Sequence, residues 1–172
     1  MKRTLWTFGL AAVVAGVLAY PLRSHAFWIG NTYATCMPDK VNQAGAPDAY
    51  YYQSGGNTSG YALSLTCHIE ETSDRTKATY KNVYIHAKDY SAASSVRAMA
   101  CLFSETGSGG GCTRQFSTTG STGAIETINI PATELRRFWT SGSGYAALSV
   151  TLPPSVSGKP DSSIIGYFYS DL

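Results

Sequence analysis

Residues 61–70 read YALSLTCHIE, and their side chains fall into two alternating sets. A period of two residues is typical of a β-strand with one face buried and the other in water. The stretch therefore predicts a half-buried strand over 61–70. Its apolar face carries Tyr61, Leu63, Leu65, Cys67 and Ile69, and its opposite face carries Ala62, Ser64, Thr66, His68 and Glu70.

Further short strands are expected on both sides of turn-rich segments. The segment from Phe27 to Ile29 is apolar and is expected to pack as an edge strand, and residues 53–60 form a Gly/Ser-rich loop. The stretch 131–139 is the one with helical character, of one or two turns, because Pro131 suits the start of a helix. The other predicted strands cover 81–88, 95–103, 113–117, 124–130, 145–152 and 163–169.

The close spacing of these strands predicts an antiparallel meander that is folded into two sheets. The fold class is therefore all-β: an antiparallel two-sheet β-sandwich, immunoglobulin-like or jelly-roll-like, with about seven to eight short strands. Of the 172 residues, 44% are hydrophobic and only 14% are charged, which excludes a disordered tail and a coiled coil. No linker or internal repeat divides residues 27–172, so we expect a single domain.

The first 26 residues have the organisation of a secretory signal peptide. Lys2 and Arg3 precede an apolar run over 5–20, and Ser24-His25-Ala26 is a small-x-small cleavage site. A membrane anchor is the alternative, but the run is shorter than the roughly 20 residues that a bilayer requires. We expect cleavage after Ala26, no transmembrane anchor afterwards, and a secreted or periplasmic protein.

The predicted mature chain is almost neutral. Lys2, Arg3 and Arg23 leave with the signal peptide, so ten basic residues face eleven acidic ones and the net charge is −1. Without runs of like charge there is no electrostatic reason to expect nucleic acid or an anionic membrane as a partner.

Four cysteines lie in the mature part, and an even number in an exported chain predicts two disulfides. Three pairings are conceivable. Cys101 and Cys112 flank a Ser/Gly-rich turn, which would place them opposite each other in one hairpin, and this leaves Cys36 with Cys67. Without a Cys-x-x-Cys pair, the spacing matches no structural zinc site.

A series of short motifs carries a family resemblance. After Cys36 the chain has CHI at 67–69, VYIHAKDYS at 83–91, SVRAMACLFSE at 95–105, GYAALSVTLPPS at 144–155 and SIIGYFYSDL at 163–172. In this order they resemble a group of small exported bacterial β-sandwich proteins whose function is not established. The resemblance implies a sandwich and a bacterial origin, and it implies no catalytic residues. One departure is that residues 148–151 lack the late cysteine of that group, and Cys112 stands in the hairpin instead.

The sequence offers few groups for catalysis. His68 and His86 both lie on the polar side of predicted strands, which indicates solvent-facing histidines. A Ser-His-Asp triad could be drawn with Asp89 and many serines, but no Gly-x-Ser-x-Gly motif supports it. Glu70, Glu71 and Asp74 do not have EF-hand spacing and are predicted to form a solvated turn. We expect no enzyme, cofactor or metal, with a hydrolase as the minor alternative.

Aromatic residues are the strongest candidates for a binding role. Tyr50, Tyr51 and Tyr52 are consecutive, so at least one ring would be exposed if they formed a strand. They and Trp139, in the segment Arg136-Arg137-Phe138-Trp139, are the candidate ligand-contacting aromatics, with Trp28 as a further member. High β-propensity of tyrosine is the structural alternative, and a surface turn that packs its aromatic rings inward is the alternative for Trp139.

The sequence thus predicts an exported, non-catalytic protein that acts by binding or structural association. The expected partner is a glycan or an envelope protein. A carbohydrate-binding module would need exposed aromatic rings on one face. A subunit of a surface fibre or adhesin would need an open sheet edge and a terminal strand to donate, either 163–169 or the segment from Phe27. Asn57 begins an Asn-x-Ser/Thr sequon.

Overall fold

The computed structural model describes residues 28–32, 36–38, 56–58, 60–71, 76–104, 110–140 and 144–170. The predicted signal peptide and Tyr50 to Tyr52 lie outside these residues. In the described residues, a 3-10 turn, Lys77–Thr79, and a short helix, α1 (Ala132–Leu135), accompany the strands. Within the described ranges the strands are β1 (Trp28–Thr32), β2 (Cys36–Pro38), β3 (Leu63–His68), β4 (Asn82–Lys88), β5 (Arg97–Phe103), β6 (Gly110–Cys112), β7 (Phe116–Ser117), β8 (Ile125–Pro131), β9 (Tyr145–Leu152) and β10 (Ser163–Ser170).

The strands form two antiparallel sheets, so the predicted fold class is confirmed. Sheet A has the order β1-β10-β4-β8, and sheet B has the order β2-β3-β9-β5-β6, with β7 also paired to β5. The described residues contain ten strands rather than seven or eight. The additional ones are β2 and β6, which have three residues each, and so short a strand shows no periodicity in the sequence. The strand predicted over 113–117 is present only as β7, at its last two residues.

The predicted meander of consecutive strands is wrong. β3 belongs to sheet B, whereas β4 belongs to sheet A, where it lies between β8 and β10. Each of these strands has one buried face, and residues from both faces belong to one hydrophobic core. Since two buried faces can cover each other only from opposite sheets, the chain crosses the sandwich between them.

The core lies between the sheets and follows the predicted alternation. Sheet A contributes β-branched side chains and two tyrosines, and sheet B contributes leucines, valine and small residues. Fully or nearly fully buried members are Val83, Ile85, Ile128, Ile130, Ile164, Tyr167 and Tyr169 from sheet A, and Leu63, Leu65, Cys67, Ala98, Ala100, Leu148, Val150 and Leu152 from sheet B.

Three buried tyrosines connect the two sheets at one end of the sandwich. The hydroxyl of Tyr80 donates to the carbonyl of Glu70 at 2.9 Å, and that of Tyr167 donates to the carbonyl of His68. Tyr80 also packs edge-on against Tyr169 and Trp139. Because the tyrosine hydroxyls satisfy carbonyls at the end of β3, part of the tyrosine content has a structural purpose.

β10 is a central strand of sheet A and not an edge. It pairs with β1 on one side and with β4 on the other. The expectation that residues 163–169 could be donated to a neighbouring subunit is therefore wrong, because the strand is already hydrogen-bonded along both edges. β1, which contains most of the apolar segment that begins at Phe27, occupies the edge position beside it.

Both predicted disulfides are formed, Cys36 with Cys67 and Cys101 with Cys112. Two such bonds indicate an oxidising, non-cytoplasmic environment. Among the residues that the structure describes, no helix has the length and apolar character needed to cross a membrane.

Candidate functional site

Three large side chains of sheet B, those of Met37, Phe103 and Tyr145, are exposed at the surface of the protein. Strand register places the side chains of sheet B in rows across the sheet. One row runs from Met37 through Thr66 and Ser149 to Met99. The next row contains His68, Ala147, Cys101 and Cys112. The third row pairs Tyr145 with Phe103 and Phe103 with Gly110.

These rows enclose an open groove of about 790 Å³, which we call the sheet B groove. Met37, Tyr145 and Phe103 are 71%, 60% and 46% exposed, respectively, and all three line it. Exposed apolar side chains are ordinary when scattered, whereas a cluster within one concavity is typical of a binding surface. The lining is Met37, Thr66, His68, Cys101, Phe103, Cys112, Tyr145, Ala146, Ala147 and Ser149.

Small residues create the concavity. Ala147 lies in the middle row between His68 and Cys101, and its methyl group leaves space between the larger side chains of the outer rows. Gly110, opposite Phe103, cannot accept a side chain, because a Cβ there would lie 2.4 Å from the carbonyl oxygen of Leu102. Phe103 is therefore uncovered on the side of β6.

The groove carries no fixed charge among its described lining residues. No lysine, arginine, aspartate or glutamate lines it, and the polar groups that do are the hydroxyls of Thr66, Ser149 and Tyr145 and the imidazole of His68. Such a surface has no electrostatic preference for an anionic or cationic ligand. Apolar rings beside a few hydrogen-bonding groups are the usual composition of a site for a neutral ligand.

A second, smaller cavity of about 340 Å³ adjoins the groove and also contains His68. Glu71 and Lys77 line it as well. The carboxylate of Glu71 accepts a bond from the backbone N–H of Lys77 at 3.0 Å and lies 3.4 Å from its Nζ. Within the described residues, no hydrogen bond joins His68 to Glu71, so the carboxylate orients Lys77 and not the imidazole.

The other histidine of the described residues, His86, and Asp89 contact different groups. His86 is half-buried on the outer side of sheet A, with its ring 5.1 Å from that of Phe168. Asp89 is buried, and its carboxylate accepts bonds from Ser91, Val96, Thr118 and Ser162. The described hydrogen bonds to Asp89 come from backbone N–H and hydroxyl groups and none comes from a histidine, so they give the triad that could be drawn around Asp89 no support.

Trp139 is buried rather than exposed, which removes it from the candidate ligand-contacting aromatics. It is 1% exposed, and its indole Nε1 donates to the carbonyl of Cys101 at 2.9 Å. Tyr50, Tyr51 and Tyr52 lie outside the described residues. For Trp28, the structure describes the backbone, which pairs opposite Ser170. Sequence reasoning missed Phe103 and Tyr145, although both follow the two-residue alternation of their strands on the outward side.

The sequon residue Asn57 is fully buried. Its side-chain Nδ2 donates to the carbonyl oxygens of Tyr61 at 2.6 Å and Pro153 at 2.9 Å. Glycosylation replaces one hydrogen on this nitrogen with a sugar, so the folded protein does not present Asn57 as an acceptor.

The predicted carboxylate turn at Glu70, Glu71 and Asp74 is described only up to Glu71. In the described part of the chain, no cluster of three or more histidine, cysteine, aspartate or glutamate residues has the arrangement to hold a metal ion. Comparison of the whole chain with protein-family models and with curated proteins finds no match.

Proposed function

We propose that this chain is an exported, non-catalytic binding protein of the bacterial cell envelope or the extracellular space, and that the sheet B groove is its binding surface. The observation that carries the proposal is the grouping of Met37, Phe103 and Tyr145 around one uncharged concavity. The N-terminal signal pattern and the two disulfides support export.

A neutral carbohydrate is the ligand class that this surface favours. Tyr145 and Phe103 are opposite each other on neighbouring strands, so they offer adjacent exposed rings to the apolar face of a sugar. Hydroxyls of Thr66 and Ser149 lie two rows away, across the row of Ala147, where sugar hydroxyls could hydrogen-bond to them. Absence of charge in the described lining disfavours acidic glycans as the primary ligand.

Binding of residues 27–172, in oxidised form, to an array of neutral and acidic glycans tests the proposal. Tyr145→Ala and Phe103→Ala should each remove binding to neutral glycans. Tyr61→Ala is the matched control, because Tyr61 is 66% exposed but lies at the opposite end of β3 from His68 and the groove. Equal loss in Tyr61→Ala, or full binding in both groove variants, would reject the groove as the site.

A hydrolase is the second candidate, because His68 and Glu71 line the same small cavity. In a hydrolase, the carboxylate would have to turn from Lys77 to His68 when substrate binds. Turnover of chromogenic esters or glycosides that is lost in both His68→Ala and Glu71→Gln, while the fold is retained, would establish this alternative. The non-catalytic proposal expects no turnover with the wild-type protein.

A further inference from the structure

The two disulfides differ sharply in their exposure to solvent. Cys36 and Cys67 are 1% and 0% exposed and point into the core between the sheets. Cys101 is also buried, but its partner Cys112 is exposed and lines the sheet B groove. One bond is therefore reached from the solvent at one of its two cysteines, and the other bond is covered at both.

We propose that the Cys101–Cys112 disulfide is a thiol-exchange site for low-molecular-weight thiols, whereas the Cys36–Cys67 disulfide is a permanent structural bond. The thiolate of the small thiol attacks Sγ of Cys112, a mixed disulfide forms there, and the bond to Cys101 breaks. The electron pair leaves on the sulfur of Cys101, which then takes a proton from water. A second small thiolate attacks the small-thiol sulfur of the mixed disulfide, so that Cys112 is released as a thiolate and the small thiol leaves as its own disulfide.

The direction of attack follows from the surroundings of the two cysteines. Exchange needs a thiolate to approach one sulfur along the line of the S–S bond, which requires open space beyond that residue. Cys101 is 1% exposed, and its carbonyl is fixed by the indole of Trp139 at 2.9 Å. Cys112 ends the three-residue edge strand β6 and borders the groove. Cys112 is therefore the residue at which the mixed disulfide forms.

Opening of this bond leaves the rest of the sandwich in place. Immediately after Cys112, the backbone N–H of Thr113 donates to the carbonyl of Ala100 at 2.9 Å, and the Thr113 hydroxyl accepts from the N–H of Ala100 at 3.1 Å. These two bonds hold the chain after residue 112 against β5. Reduction therefore loosens β6, whose remaining pairing with β5 is through the backbone of residues 110–112. The Cys36–Cys67 disulfide in the core stays intact.

The same opening changes the sheet B groove. Gly110 lies opposite Phe103, and Cys112 lies opposite Cys101, so β6 forms one wall of the groove. Gly111 is held on the inner side, where the ring of Phe138 occupies the position that a side chain would take. Release of the disulfide frees this wall. The exchange chemistry itself depends only on the exposure of Cys112 and not on the proposed glycan ligand.

Graded reduction of the folded, oxidised protein with glutathione tests the proposal. Samples are quenched with acid, alkylated, and mapped by mass spectrometry to assign each cysteine. We expect the Cys101–Cys112 bond to open at least about tenfold faster than the Cys36–Cys67 bond. We also expect the trapped glutathione adduct to lie on Cys112. In 6 M guanidinium chloride, where burial is abolished, this difference in rate should disappear.

Three results would overturn the proposal. Faster opening of Cys36–Cys67, or equal opening of both bonds in the folded protein, would show that burial does not control exchange. An adduct found mainly on Cys101 would contradict the direction of attack. Resistance of both bonds until the protein is denatured would show that Cys112 is not reached. The double variant Cys101→Ser/Cys112→Ser is the folding control, and its near-ultraviolet circular dichroism should match that of the reduced wild-type protein.

Discussion

The carboxylate of Asp89 is buried, and both of its oxygens accept hydrogen bonds from groups of the protein. Its Oδ1 accepts from the N–H of Ser91 and the hydroxyl of Ser162, and its Oδ2 accepts from the N–H of Val96 and the hydroxyl of Thr118. The groups come from segments on both sides of β5 and from the residue before β10. A buried acceptor shared by four donors fixes the relative positions of those segments.

Asp89→Asn should destabilise the protein by about 2–4 kcal/mol. The substitution replaces one carboxylate oxygen by an NH₂ group, which cannot accept a hydrogen bond, so the two donors that point at this oxygen lose their acceptor. Urea denaturation measures the change. Asp161→Asn is the matched control, since Asp161 is half-buried next to Ser162 and should lose less than about 1 kcal/mol. Equal losses in the two variants would show that the four bonds do not carry the effect.

Glu126 is a surface carboxylate that holds the turn before β8. It accepts from the N–H of Thr119 at 2.8 Å, the hydroxyl of Thr119 at 3.0 Å and the N–H of Gly120 at 2.9 Å. The pKa of Glu126 lies below its ordinary value of 4.5, mainly because its carboxylate accepts a hydrogen bond from the backbone N–H of Thr119. The Thr119 hydroxyl and the N–H of Gly120 act in the same direction, whereas desolvation and the charge of Asp89 oppose them.

The lowered pKa of Glu126 gives its contribution a pH dependence of known sign. The stabilisation is complete above the unfolded pKa of about 4.5 and is lost as the pH falls through the lower pKa of the folded state. The difference in urea midpoint between wild type and Glu126→Gln should therefore shrink on going from about pH 6 to about pH 3. Glu70→Gln, which alters an exposed residue at the end of β3, is the control. A constant difference across this range would contradict the prediction.

Two glycines in turns both have a positive φ, but only one of them has close neighbours. Gly123, before β8, has φ of 75°, and Gly158, between β9 and β10, has φ of 78°. A Cβ on Gly123 would lie 1.9 Å from Cε1 of Tyr90, whereas a Cβ on Gly158 would meet nothing within 4 Å. The same backbone conformation is therefore found in one crowded and one open turn.

Gly158→Ala should cost about 1–2 kcal/mol, because only the left-handed backbone conformation is penalised. Gly123→Ala should cost at least about 1 kcal/mol more, since the ring of Tyr90 must also move. The backbone N–H of Gly123 donates to the carbonyl of Asp89 at 2.7 Å, so the turn cannot shift freely. Chemical denaturation of both variants measures the difference. Equal costs would show that the Tyr90 ring yields without penalty.

At the scale of single elements, the alternation of side chains correctly predicts a strand where the strand is long and one of its faces is buried. β9 was predicted at 145–152 and β3 within 61–70, and both are present. Alternation does not hold throughout β10, where the register shifts between Ile164 and Gly166, so that Ile164 and Tyr167 are both buried. Strands as short as β2 and β6 contain too few side chains to show a period.

For the whole molecule, the sequence predicted two sheets but not which strands belong to each. The partner of a strand is determined by the packing of distant residues, as in the pairing of β4 with both β8 and β10. The candidate site shows the same limit. Phe103 and Tyr145 are 42 residues apart in the sequence, and they become neighbours only because β5 and β9 pair in sheet B. Local pattern could predict that each is exposed, but not that they share a groove.

The first and last described strands, β1 and β10, pair at the edge of sheet A, where Trp28 lies opposite Ser170. β1 therefore covers the outer edge of β10, a strand with several side chains in the core. A variant that lacks residues 1–32 should expose the hydrogen-bonding groups of β10 along that edge and self-associate, because an open edge strand pairs readily with another chain. Light scattering after size-exclusion chromatography should show dimers or larger species that increase with concentration. The matched control lacks residues 1–26 and keeps β1, so it should remain smaller at the same concentration. If both variants have the same mass and the same stability, β1 does not protect the β10 edge.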